Sequence, residues 1–167
     1  MVERRDVLGW ALMKIEARRF GIILLRILLG WIFLAAGWSK VGQTLPTLAT
    51  IYSYQIVIPD ALAEFLAMAL PWVELALAVA LFGGLFLPWT LAVTALVLGA
   101  FTVLTAQAWW RGLDIDCGCV DLSAIHPALE VLSTPGGATV RNLVLLALVG
   151  VLWWLWSGRV RQDQRSA

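Results

Sequence analysis

Cys117 and Cys119 flank Gly118 in the acidic run Asp114-Ile115-Asp116-Cys117-Gly118-Cys119-Val120-Asp121, and the chain has no other cysteine. Two thiols one residue apart can close on each other, coordinate a soft metal, or exchange with a partner's thiols. Gly118 tolerates the backbone angles that so small a ring imposes. Thiolate is the reacting form, so the charged neighbours matter: Asp114, Asp116 and Asp121 disfavour it, whereas Arg111 and His126 favour it. Gln107, Arg111, Asp116 and His126 are therefore candidate modulators of the pair. His126 has the chemistry of a base or of a third metal ligand, though a lone histidine beside a proline most often serves as neither.

What must position this loop is mostly hydrocarbon. Of 167 residues, 61% are hydrophobic and 14% charged, with ten tryptophans, which is more apolar than a soluble domain of this length. The sequence predicts an all-α, polytopic membrane protein, a bundle of four transmembrane helices over residues 20–38, 61–81, 88–108 and 140–157, each long enough for roughly 30 Å of hydrocarbon. The membrane domain is residues 20–158, with a cysteine-bearing loop over 109–139 and a basic tail over 159–167. Residues 1–19 read as an interfacial segment, because Val7, Leu8, Ala11, Leu12 and Ile15 recur at helical spacing among charges. A net charge of +1 argues against a nucleic-acid partner; lipid is the expected surround.

Basic residues orient the bundle. Arg4, Arg5, Lys14, Arg18 and Arg19 precede the first span, and Arg159, Arg161 and Arg165 follow the last. The positive-inside rule then makes both termini cytoplasmic and the cysteine loop external, periplasmic in a bacterial inner membrane, where disulfides persist. The tryptophans agree: Trp89, Trp153, Trp154 and Trp156 gather at the inner boundary, and Trp38, Trp109 and Trp110 at the outer. In span four, Arg141 is expected to reach up to the headgroups.

Charges inside the spans form a second group of candidates. Arg26, Gly30, Phe33, Gly37 and Lys40 share one face of span one, and Glu64, Ala67, Pro71 and Glu74 one face of span two. If the outer ends of these antiparallel helices are level, Arg26 faces Glu74 and Lys40 faces Asp60, with Glu64 leaning outward to share the lysine. Such a seam either locks two helices together or lines a polar cavity for a quinone headgroup or a proton path. Trp31 and Trp72, mid-membrane, are candidate walls for a quinone ring. Between these spans, Gln43 to Pro59 is too interrupted to cross and is expected on the outer surface, and Asp60 can cap the second span.

Arg26, Gly30, Phe33, Gly37 and Lys40, then Pro71-Trp72-Val73-Glu74-Leu75, then Cys117-Gly118-Cys119 resemble, in order and sidedness, the MauE branch of the DoxX-like membrane proteins. The resemblance implies a four-helix membrane bundle that works with a thioredoxin-like partner in maturing a disulfide-rich periplasmic protein. It makes Cys117 and Cys119 a redox pair and Arg26, Lys40 and Glu74 family membrane charges. The family's run after the second cysteine is often Phe-Gly, where this chain has Val120-Asp121, a departure that bears on the particular partner or substrate. Three uses of the loop follow: a thiol-disulfide relay, to which quinone is the membrane acceptor or donor; a Cu(I) site on Cys117, Cys119 and His126; and a disulfide that staples a scaffold.

Overall fold

A computed structural model describes residues 2–113, 115 and 134–166. Cys117, Cys119, Asp116 and His126 lie outside the described residues. Five helices make up the described chain: α1 (Val2–Lys40), α2 (Thr44–Ser53), α3 (Asp60–Gly83), α4 (Leu87–Trp110) and α5 (Pro135–Ser166). Four stretches of them, Glu16–Lys40, Asp60–Gly83, Leu87–Trp110 and Pro135–Gly158, are long and apolar enough to cross a membrane. The expected all-helical, four-span bundle is present.

The helices pack as two pairs. α1 lies most extensively on α3 and α4 on α5, with lighter α1–α5 and α3–α4 contacts joining the pairs. Leu29, Leu81, Leu91 and Leu152, one from each long helix, are fully buried at the centre. Outward faces carry Ile23, Phe65, Leu96 and Val144, all more than half exposed, as a surface bathed in lipid should. Trp38, Trp89, Trp109, Trp110 and Trp154 likewise point out of the bundle.

Residues 2–19 are helical and continue into the first span without a break; the side chains of Val7 to Ile15 lie outside the described ones. α3 and α4 are joined by a turn in which Gly84 is left-handed, at φ +64°. A side chain there would be strained in any case, and its Cβ would collide with the Arg26 guanidinium, which lies against this turn.

α5 begins at Pro135, five residues before the apolar run. Pro135 at the first helical position loses no intrahelical hydrogen bond, and Thr134 accepts from the Gly137 amide at 3.2 Å through its Oγ1. Pro135-Gly136-Gly137 is thus the first turn of the helix and not the loop before it. Asp60 also departs from expectation: it is the first residue of α3, makes no cap hydrogen bond, and instead accepts from the Tyr52 hydroxyl at 2.9 Å.

Candidate functional site

Lys40, the last residue of α1, reaches into the bundle and donates to both carboxylate oxygens of Glu74 on α3, at 2.7 and 3.0 Å. Both residues are buried, Lys40 8% and Glu74 3% exposed. The two form an ion pair between α1 and α3. A paired ammonium and carboxylate stand in an apolar interior at far less cost than either alone. The Lys40 ammonium also lies 5.7 Å from the Phe101 ring centroid, so α4 closes the pair from a third side.

The register corrects the sequence expectation. Arg26 does not face Glu74, and Lys40 does not face Asp60. A Cβ on Gly37 would come within 3.0 Å of Leu75 Cγ and the Pro71 carbonyl oxygen, so α1 and α3 touch most closely there. The helices have slid by about ten residues, or roughly 15 Å at 1.5 Å per residue, from the level arrangement. The reason is α2. Residues 44–53 fold into a helix that packs on α3, so α3 runs on past the end of α1 with α2 as its new neighbour.

Arg26 has another use. Its Nε donates to Leu81 O and its Nη2 to Phe82 O, each at 2.9 Å, which satisfies the carbonyls that the end of α3 leaves open. The guanidinium also sits at the negative end of that helix dipole. Arg111 does the same for α2, donating to Tyr54 O and Gln55 O at 3.4 Å and to Gln55 Oε1 at 3.0 Å. Arg18 donates to Leu155 O at 2.8 Å on α5. Three arginines therefore hold neighbouring helices by their carbonyls. Glu64 is exposed, without a hydrogen bond or ion pair among the described residues.

On the other helix pair, Thr105 of α4 and Thr139 of α5 are buried, with hydroxyl oxygens 3.0 Å apart. Thr105 donates to Phe101 O at 2.9 Å, and the Thr139 hydroxyl is also 2.7 Å from Pro135 O. Phe101 is one turn from Thr105 and faces Lys40, so a polar layer runs from Lys40–Glu74 past Phe101 to the two threonines and engages all four long helices. Asn142, 3% exposed, lies one turn from Thr139 on the same face of α5. Thr105, Thr139, Phe101 and Asn142 were not singled out in the sequence. Thr90, Thr94 and Thr105, at spacings of four and eleven, could have shown this face of α4.

Trp31 and Trp72 point outward, 60% and 65% exposed; Trp31 meets the edge of Phe82 at 5.9 Å between centroids. Gln107 is half-buried with no side-chain hydrogen bond among the described residues. Arg141 is half-buried, and its Nη1 is shielded within the bundle. No group of three or more His, Cys, Asp or Glu among the described residues is placed to hold a metal.

The flanks of the cysteine segment are described. Arg111 ties the end of α4 to Gln55, and the Trp109 indole packs over Gly136 at the start of α5. Arg18 meets α5 near its far end, and Arg26 meets the α3–α4 turn. The segment therefore leaves and rejoins the bundle at the end opposite these two arginines.

A four-span helical membrane protein with a buried ion pair between its first two spans, and its only cysteines between its last two, is the class that fold and site define. A family model described as "Methylamine utilisation protein MauE" matches residues 18–156, and the chain belongs to that family. It is 34% identical over 125 residues to the Methylamine utilization protein MauE of Paracoccus denitrificans. That match covers 74% of this chain and 63% of the relative, so the chain spans less than two thirds of that protein's length. No solved structure matches.

Proposed function

We propose that this protein is a membrane thiol-disulfide relay of a bacterial inner membrane, with Cys117 and Cys119 as its redox pair on the periplasmic side. A thiolate of a periplasmic thioredoxin-like partner attacks one sulfur of the Cys117–Cys119 disulfide and forms a mixed disulfide, and the other cysteine leaves as thiolate. The partner's second thiolate then attacks the partner's own sulfur in the mixed disulfide and expels the bound cysteine of the pair as thiolate, leaving the partner oxidised and, once the thiolates take up protons, the pair as a dithiol. Two electrons and two protons pass on from the dithiol to a membrane quinone, which becomes quinol; run backwards, the same steps reduce the partner.

The observation that carries the reading is the anchoring of the cysteine segment. Arg111 and Trp109 fasten one flank and Thr134 begins the other, at the end of the bundle away from Arg18 and Arg26. An exchanging pair needs a firm base, and the anchored flanks support that part of the reading. Membership of the MauE family supports the same reading, and the relative's name makes a part in methylamine utilisation one candidate task. The Lys40–Glu74 pair serves the bundle that carries the loop.

The test is capture. Cys117→Ser and Cys119→Ser, each alone, are expressed in native membranes and the thiols are quenched with acid. One of them is expected to hold a thioredoxin-like protein in a complex that dithiothreitol releases. Absence of any reducible complex from both variants, at normal abundance of the protein, would overturn the relay.

A further inference from the structure

Arg18 fastens the two terminal helices to each other. Its Nε donates to Leu155 O at 2.8 Å and its Nη2 to Trp154 O at 3.4 Å, and its guanidinium stands 6.0 Å from the centre of the Trp154 ring. Gly158 makes room for it, since a Cβ there would collide with the Arg18 guanidinium, and a Cβ on Gly21 would stand 3.8 Å from Leu155. With Gly21 beside Leu155 and Arg18 beside Gly158, α1 and α5 run antiparallel, and residues 14–19 of α1 lie alongside residues 157–162 of α5. Neither helix stops where its apolar span does. α1 starts at Val2, ahead of the span Glu16–Lys40, and α5 continues to Ser166, beyond the span Pro135–Gly158.

The window in which the two helix ends meet is strongly basic. It contains Lys14, Arg18, Arg19, Arg159 and Arg161 against a single acid, Glu16, an excess of four positive charges. At 1.5 Å per residue it is about 8 Å deep, so the cations stand at nearly one level. Each helix supplies only part of this charge, and the Arg18 clamp brings the parts together. The α3–α4 turn at the same end of the bundle, residues 83–87, carries no charge that could balance it. Crowded like charges repel, and an anion that spans both helices relieves the repulsion.

We infer that the paired ends of α1 and α5 bind the headgroup of an anionic phospholipid with two phosphodiesters, of the cardiolipin kind. The window straddles the ends of both apolar spans, which is the level of the phosphates in a bilayer. Arg19 is exposed there, and guanidinium groups pair with phosphate oxygens through short charge-assisted hydrogen bonds. One phosphodiester answers one of the four excess charges; two joined by a glycerol answer two with a single ordered molecule. On the span side of the window Phe20 and Trp154, 68% and 67% exposed, offer apolar surface to acyl chains, which a free phosphate does not have.

The experiment uses the full chain. Native mass spectrometry from detergent counts bound cardiolipin, and melting temperature is read in phosphatidylcholine nanodiscs with and without it. One tightly held cardiolipin per chain and a raised melting temperature are expected. Lys14→Gln, Arg161→Gln together should weaken binding about thirtyfold, the effect of two surface cations on an anionic headgroup. Arg19→Gln, Arg159→Gln, from the same window, should behave alike, and neither pair should melt lower than wild type in pure phosphatidylcholine. Arg4→Gln, Arg5→Gln removes as much charge about 14 Å further along α1 and should leave the affinity unchanged. Equal weakening by this distant pair would overturn the site in favour of net charge, and unchanged affinity in both window pairs would overturn it outright. Phosphatidylglycerol at twice the molar amount binding as well as cardiolipin would overturn the two-phosphate headgroup, and equal stabilisation by inorganic phosphate would overturn the lipid.

Discussion

Removing one partner of the Lys40–Glu74 pair should be among the most damaging single changes in the membrane domain. Glu74→Gln keeps the shape of the side chain but leaves an ammonium that is 8% exposed, with an amide and the Phe101 ring for company. Breaking a buried pair in this way costs about 3–5 kcal/mol, most of it the stranded charge. Lys40→Met strands the carboxylate instead and should cost a similar amount. The double variant Lys40→Met, Glu74→Leu strands nothing, and replacement of a whole buried pair by apolar groups is often neutral or stabilising by about 1–4 kcal/mol. The double change should therefore cost less than either single one, with a coupling energy of about 3 kcal/mol or more. Reversible unfolding in mixed micelles by added sodium dodecyl sulfate, followed by circular dichroism on all four proteins, measures this. Single variants within about 1 kcal/mol of wild type, with additive effects, would refute a desolvated pair.

Gly37→Val places branched carbon against Leu75 and the Pro71 carbonyl, where even a Cβ comes within 3.0 Å, and should lower stability by about 1–3 kcal/mol in the same unfolding assay. Arg26→Met leaves the Leu81 and Phe82 carbonyls without their donor and should cost about 1–3 kcal/mol, read as faster proteolysis at the α3–α4 turn. Tyr52 lies outside the spans; its hydrogen bond to Asp60, then desolvation and the charges of Asp60 and Glu64, hold its phenol above the usual value. The stabilisation from the neutral phenol is fully present below the ordinary tyrosine range and lost as pH rises through the raised value. Absorbance titration in a Tyr54→Phe background should show Asp60→Asn moving Tyr52 back down.

Much of this fold is legible in the sequence because its strongest signal is length of apolar run. Phe20 to Trp38 and Pro88 to Ala108 announce their spans without help from packing, and the glycines of α1 announce a close contact. Register is another matter. Nothing in the facing stripes says how far one helix slides along another, and the level-ended arrangement failed because α2, a ten-residue helix, packs beside α3. Arg26 is unreadable for a related reason: its partners are main-chain carbonyls, which every residue has. The start of α5 at Pro135 was hidden by Gly136 and Gly137, which in most contexts end helices and here begin one behind a proline and a threonine cap. Asn142 carries no signal until burial shows that its amide has no acceptor.

The central claim is that Cys117 and Cys119 cycle between disulfide and dithiol, and thiol trapping in intact membranes tests it most directly. Membranes are treated with a mass-tagged maleimide before and after mild reductant, and the mass shift of the protein is read. The account predicts no tag before reductant, two tags after it, and one tag after reductant in Cys117→Ser and in Cys119→Ser. Two thiols free throughout and protected by added Cu(I), or a disulfide that resists mild reductant, would contradict it.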